Sequence, residues 1–213
     1  MIDAYLTGKE LKTLSEIDAS VSDFMTTARL YMSGLNFSYN PHRLILNKVT
    51  DCYFTNKDGT RIEIDDKKLY RVVADLYSGQ MLSEVTKMSY GLLSVIPKFE
   101  DGTPIENFED AIIIENGKEM KAWDAIARYM KSFKDTDGDG VADVSQDYST
   151  SQNRKVVEDI RSIGSLLRNP NRYAIMIAGI FVLLILIILF LIVIIRKIVK
   201  AICNKYKKKG SYI

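Results

Sequence analysis

Residues 173–195 read YAIMIAGIFVLLILIILFLIVII, 23 residues without a charge. Rising ~1.5 Å per residue, a helix of this length spans roughly 35 Å, enough to cross a ~30 Å hydrocarbon core with some tilt. Eighteen of these residues are Ile, Leu, Val or Phe, and their insertion is favourable by roughly 5 to 11 kcal/mol. A soluble helix keeps a polar face; this one has none. The stretch therefore predicts a transmembrane helix, and it divides the chain. Residues 1–172 belong to one compartment and the tail, 196–213, to the other.

The tail carries Arg196, Lys197, Lys200, Lys205, Lys207, Lys208 and Lys209 and no acid, whereas residues 158–172 carry three arginines. This basic excess predicts a single-pass plasma-membrane protein with its tail in the cytoplasm and its N-terminal domain outside. The whole chain has a formal charge of +2, but without the seven tail charges 22 basic residues face 27 acidic ones. An acidic body excludes nucleic acid as the expected partner. The lipid bilayer is the partner of the basic tail, as a headgroup contact or as a topology signal alone. Cys52 and Cys203 fall on opposite sides of the span and cannot pair within the chain. Cys203, near the inner interface, is a candidate for acylation. MIDAYLTGKELK has no apolar core of a signal peptide, so either translocation is unusual or the coding sequence starts upstream.

Ahead of the span the pattern is mixed. Leu11, Leu14, Ile17, Val21 and Phe24 recur at helical spacing over residues 7–25, with Thr7 and Glu10 in the order of a capping box. Short strands are expected at 30–32 and 35–39 around Ser33-Gly34. A further β-rich run, 44–54, should close through Asn56-Lys57-Asp58-Gly59 onto 61–64. The run LYRVVAD, 69–75, suits a buried central strand. A helical stripe (Met81, Leu82, Val85, Met88), strands at 92–96 and 111–115, and a helix over 118–133 complete the body. Strands and helices mix without regular alternation, so the fold class is α+β, one domain over 1–133.

Three pieces then stand in order: Tyr5-Leu6-Thr7-Gly8-Lys9-Glu10-Leu11-Lys12, Met32-Ser33-Gly34-Leu35-Asn36-Phe37-Ser38-Tyr39-Asn40, and residues 59–64 followed by Tyr70-Arg71-Val72-Val73-Ala74-Asp75. This series resembles the C-terminal domain of the 5′-nucleotidase family, which includes UDP-sugar hydrolases and 2′,3′-cyclic-nucleotide phosphodiesterases. The family pattern is a TGxxL helix, an SG(L)xFxYD strand, a hairpin and an aromatic-led YxVa(t) strand. The resemblance implies a domain that clamps a nucleoside between two aromatics. It works beside a metallophosphoesterase domain that holds two metal ions and a catalytic His–Asp pair.

The chain departs from that family in three places. The metallophosphoesterase domain is absent from these residues, so the divalent pair belongs to a domain supplied in cis or trans. His42 is the single histidine, in a turn where it is expected to be solvated. Arg29 stands where the family's first stacking Phe would be, with Tyr31 two residues on. An Arg plane can stack on a base or pair with a phosphate. After Asp75 the GGDG loop with its second aromatic is missing, and Tyr77 and Tyr90 are the candidate substitutes.

Residues 135–143 read DTDGDGVAD. Asp135, Asp137, Asp139 and Asp143, with the Val141 carbonyl, have the spacing of a tight loop that converges on one hard cation. The twelfth position, a bidentate Glu in a full EF-hand, is Gln146. The pattern is closer to the short calcium loops of dockerins and thrombospondin repeats. A Ca²⁺ site and a flexible acidic turn are the two readings. Residues 145–153 are linker-like, and Val157, Ile160, Ile163 and Leu167 predict a helix over 154–167. Residues 134–172 as a whole read as an acidic linker.

The sequence thus predicts the membrane-anchored, substrate-binding C-terminal part of a 5′-nucleotidase-like hydrolase of extracellular nucleotide catabolism. A nucleotide or sugar nucleotide is its ligand, at Arg29, Tyr31, Tyr77 and Tyr90. The alternative is a non-catalytic cell-surface module that retains the fold.

Overall fold

The computed structural model describes residues 1–22, 29–56, 58–88, 91 and 93–209, with residues 83, 88 and 201–209 by their backbone alone. The chain divides into two compact units, Met1–Leu166 and Leu167–Ile213.

The first unit starts with a strand that the sequence reading lacks. β1 (Ile2–Thr7) alternates buried and half-buried residues, because Ile2, Ala4 and Leu6 share one face. It ends in the cap of α1 (Gly8–Val21): Glu10 N–H donates to Thr7 Oγ1 at 3.3 Å, and Thr7 N–H donates to Glu10 Oε2 at 2.8 Å. The expected capping box is therefore formed. Of the helix expected over 7–25, residues 23–25 lie outside the described residues. Gly8 is required by close approach, since a Cβ there would lie 2.1 Å from the Asp65 carbonyl oxygen.

β2 (Leu35–Tyr39), β3 (Val49–Thr55) and β4 (Arg61–Glu63) follow as an antiparallel meander, with Phe37 opposite Cys52 and Phe54 opposite Ile62. The expected hairpin through residues 56–59 is thus present. The β-rich run is a strand only from Val49, and residues 30–32 form none. β5 (Leu69–Ala74) pairs with β1 alone, from Ile2↔Ala74 to Thr7↔Leu69. The expected buried central strand is instead half of a two-stranded sheet, with Arg71 and Val73 exposed. With only one neighbour and one covered face, its apolar run does not report full burial.

α2 (Leu76–Met88) begins a turn earlier than its stripe suggests. Residues 93–96 form no strand, and Leu92 lies outside the described residues. The strand expected at 111–115 is a 3₁₀ turn over Phe108–Ala111 and then β6 (Ile114–Glu115), which pairs with β7 (Lys118–Glu119). Asn116 and Gly117 between them both have positive φ, as a two-residue hairpin turn requires. The last helix of the body, α3 (Ala122–Lys131), is therefore shorter than the expected 118–133. One core cluster gathers Ile2 and Ala4 of β1 with Ile105, Phe108 and Ala111.

The stretch expected as a helix over 154–167 contains β8 (Lys155–Val157), which lies parallel to β2, Ser38 opposite Val156. It completes a sheet of order β4-β3-β2-β8. The β-branched pair Val156-Val157 favours a strand over the helical spacing. Only α4 (Ile163–Leu167) remains helical there. The body is thus mixed α and β.

The second unit contains α5 (Arg172–Lys209), unbroken for 38 residues. Its stretch Arg172–Lys200 is long and apolar enough to cross a membrane, and none of its apolar window is buried.

Candidate functional site

Asp18 organises the most chemically distinctive part of the first unit. It stands four residues after Leu14 and seven after Leu11, on the apolar stripe of α1, and it is fully buried. A carboxylate there needs partners, and it has two. Leu30 N–H donates to Oδ1 at 3.0 Å and the Lys155 ammonium donates to Oδ2 at 2.8 Å. The same ammonium lies 5.3 Å and 5.7 Å from the ring centroids of Tyr39 and Phe37, a cation–π arrangement. One buried carboxylate thereby ties α1, the segment before β2, and β8 together.

Above this pair a groove of about 350 Å³ opens, with Phe37 and Asp18 on its buried side and Arg29, Tyr31, Arg154 and Lys155 around it. Tyr31 is 90 % exposed. Asp18 neutralises Lys155, whereas Arg29 and Arg154 have no acidic partner among the described residues. A free guanidinium beside an open phenol ring suits a flat ligand that carries negative charge: the ring supplies a stacking face and the arginines supply the countercharge.

The structure brings Arg29 and Tyr31 into one groove. Tyr77, at the start of α2, is 65 % exposed and does not line it. Tyr90 lies outside the described residues. Asp18, Arg154 and Lys155 were missed by the sequence reading. An Asp within an apolar stripe was the available signal for the first. The other two were hidden by the linker and helix assignments.

The acidic loop is ordered by its own backbone. Gly138 and Gly140, both at positive φ, donate to Asp135 at 2.7 and 2.9 Å. These N–H groups hold the Asp135 carboxyl below the usual range. Asp143 is likewise held low, by the Thr136 hydroxyl and N–H. Carboxylate oxygens of Asp135, Asp137 and Asp143 lie within 4.8 Å of one another. An all-oxygen donor set suits a hard cation. Asp139 falls outside that group, and its carboxylate accepts from Val141 N–H at 2.8 Å. His42, expected to be solvated, is exposed and sits against Asp159 at the surface, Nε2 to Oδ1 2.5 Å. It pulls the Asp159 carboxyl down.

Residues 1–88 match the family described as 5′-nucleotidase, C-terminal domain. That match runs from β1 through α2, so it contains the Asp18 carboxylate, Arg29, Tyr31 and Tyr77. The acidic loop, Arg154, Lys155, α3 and α5 lie beyond it. Among solved structures the chain is similar to that of a 5′-nucleotidase precursor from Thermus thermophilus, with a TM-score of 0.48 and 15 % identity. The alignment covers 75 % of this chain and 25 % of that one; the chain thus spans about a quarter of that protein's length. No curated protein matches the chain.

Proposed function

We propose that the first unit binds a nucleotide or sugar nucleotide in the Arg29–Tyr31 groove and presents it to a metallophosphoesterase domain supplied in cis or in trans. The observation that carries this reading is the groove itself, a free guanidinium and an open aromatic ring within the family-matched segment. The base stacks on Tyr31, and Arg29 and Arg154 face the phosphate. In this reading α5 spans the plasma membrane with its basic end in the cytoplasm, and the body works outside the cell in nucleotide catabolism. The divalent ions of hydrolysis belong to the partner domain. The Asp135–Asp143 loop takes up Ca²⁺ from the extracellular medium.

Titration of the full chain in detergent with AMP and with UDP-glucose, followed by calorimetry, tests this. Saturable binding is expected, weakened about fivefold or more in Tyr31→Ala, since base–aromatic stacking is worth ~1–3 kcal/mol. Arg29→Ala should weaken AMP in the same way. One observation favours the second reading, a surface interaction module without a ligand: β8 and residues 151–153 crowd the groove from one side. Absence of heat up to millimolar nucleotide would establish that reading instead.

A further inference from the structure

One wall of the groove comes from a distant part of the chain. Asp18, Arg29, Tyr31 and Phe37 stand between α1 and β2, whereas Arg154 and Lys155 arrive with β8. Few bonds seat that segment on β2. Phe37 N–H donates to the Arg154 carbonyl at 2.8 Å, and Glu158 N–H donates to the Tyr39 carbonyl at 2.8 Å. Asn40 Nδ2 donates to the Ile160 carbonyl at 2.7 Å, and His42 meets Asp159 at the surface. β8 ends its sheet and has β2 as its single neighbour there. All three of its residues are exposed, Val157 to 55 %. An edge strand that buries no apolar side chain opens locally, at lower cost than the body it lies on.

Lys155 opposes that opening. Its ammonium is the one cationic partner of the fully buried Asp18 among the described residues. With β8 lifted, that carboxylate keeps the Leu30 N–H but loses its countercharge, which a buried position tolerates poorly. The seated strand is thus the ground state and the lifted one a minor state. When seated, the segment brings Arg154 to a groove that already holds Arg29, and neither guanidinium has an acidic partner among the described residues. A phosphate group has acceptor oxygens enough for both. Such a ligand touches the body through Arg29 and the β8 segment through Arg154. A ligand that meets a segment in only one of its two positions favours that position, and the position favours the ligand by the same factor.

We propose that residues 151–160 are a strap along the groove, seated through β8 and the Asp18–Lys155 pair, and that strap seating and nucleotide binding are linked through Arg154. The phosphate draws the strap onto β2, and the seated strap completes the anion site. This rests on the groove being a nucleotide site.

The full chain in mild detergent is followed by hydrogen exchange resolved to single amides, with and without saturating AMP, and calorimetry reads AMP affinity on the same samples. The Glu158 amide reports the strap. The Lys48 and Val49 amides, which donate to the buried Glu16 carboxylate, report the body. Without AMP, Glu158 should exchange faster than Lys48 and Val49. With AMP it should slow about tenfold, a usual size for coupled sites. Arg154→Ala should keep the circular dichroism, bind AMP about tenfold more weakly and lose the slowing at Glu158. Glu158→Pro removes the N–H that donates to Tyr39 and alters no residue that lines the groove. It should weaken AMP by a like factor, and Arg154→Ala added to it should cost nothing further, because an unseated strap no longer presents Arg154. Exchange of Glu158 in step with Lys48 and Val49 makes β8 a fixed wall and overturns the proposal. AMP binding with Glu158 exchange unchanged also overturns it and leaves the nucleotide site standing. Absence of heat up to millimolar AMP overturns both.

Discussion

α1 and α3 are both amphipathic helices of the same body, and they meet opposite fates. Ten of the fourteen residues of α1 are buried, including Ser15, Glu16, Asp18 and Ser20, whereas α3 buries none of its ten. The cleaner apolar stripe belongs to the exposed helix. A stripe thus tells which side of a helix is apolar, not what covers it. What distinguishes α1 is its polar inventory. Glu16 accepts from the Ser20 hydroxyl at 2.7 Å, from Lys48 N–H at 2.7 Å and from Val49 N–H at 2.9 Å. Buried carboxylates with backbone partners join α1 to the chain around it, while Asp124 and Arg128 of α3 pair with each other at the surface.

The contrast is broken most easily at Asp18. Asp18→Ala removes the buried carboxylate that holds the Leu30 N–H and the partly exposed Lys155 ammonium, and the loss should cost about 1–3 kcal/mol. Asp124→Ala on α3 removes an exposed pair and should cost less than about 1 kcal/mol. Denaturant unfolding of the full chain in mild detergent, followed by circular dichroism, measures both. If the two substitutions cost the same, Asp18 is not the tie between α1 and β8 described above, and the groove loses its framework.

Apolar positions sharpen the same comparison. Leu14, buried on α1, should cost about 2–5 kcal/mol as Ala. Ile126→Ala should stay within about 0.5 kcal/mol in detergent. A larger loss at Ile126 would mean that the apolar face of α3 is covered in solution.

Much of the framework was legible in the residues. Thr7 and Glu10 announced the start of α1, Gly59 announced the β3–β4 hairpin, and an uncharged run announced α5. These features are local, decided within a few residues of chain. What was not legible depends on distant partners. β1 is too short and too near the end of the chain for its alternation to speak without β5 opposite it. LYRVVAD shows an apolar run, but only the sheet shows that it has one neighbour. β8 was read as part of a helix because Val157, Ile160 and Ile163 happen to stand three apart; its pairing with β2, more than a hundred residues earlier, overrode that spacing. The groove inherits this gap. Arg29 and Tyr31 were found from their place in a local pattern. Arg154 and Lys155 reach the same groove only through β8.

Charge offers a third test, expected to be modest. Burial alone would raise the Glu10 pKa. The Lys98 ammonium at 2.6 Å, with donors from Thr7 and the Ile96 N–H, outweighs it and holds the carboxyl below its usual value. A group depressed in the folded state contributes stability above its unfolded pKa and loses it as pH falls through the folded one. The melting temperature should therefore fall with acidification below the ordinary glutamate range, and Lys98→Met should flatten that fall. Glu119, held low by Lys121, is fully exposed on the α3 side, so Lys121→Met should leave the pH profile unchanged because solvent screens that pair.

The smallest effect belongs to the acidic loop, which follows α3 and shares its exposure. Its carboxylates already accept from Gly138, Gly140 and Thr136, so a cation must compete with bonds that hold the loop without it. Ca²⁺ binding at extracellular modules is typically near 10⁻⁴–10⁻³ M. At a free concentration of a few times Kd it stabilises by roughly 1 kcal/mol, and only for whatever unfolds together with the loop. Millimolar Ca²⁺ should therefore move the melting of the α3 region, read through Trp123 fluorescence, and leave the α1 region, read through hydrogen exchange of its amides, nearly unmoved. Asp135→Asn should abolish the shift. Equal shifts at both probes would show that α1 and α3 unfold as one cooperative body, and the division between them would then be one of burial and not of stability.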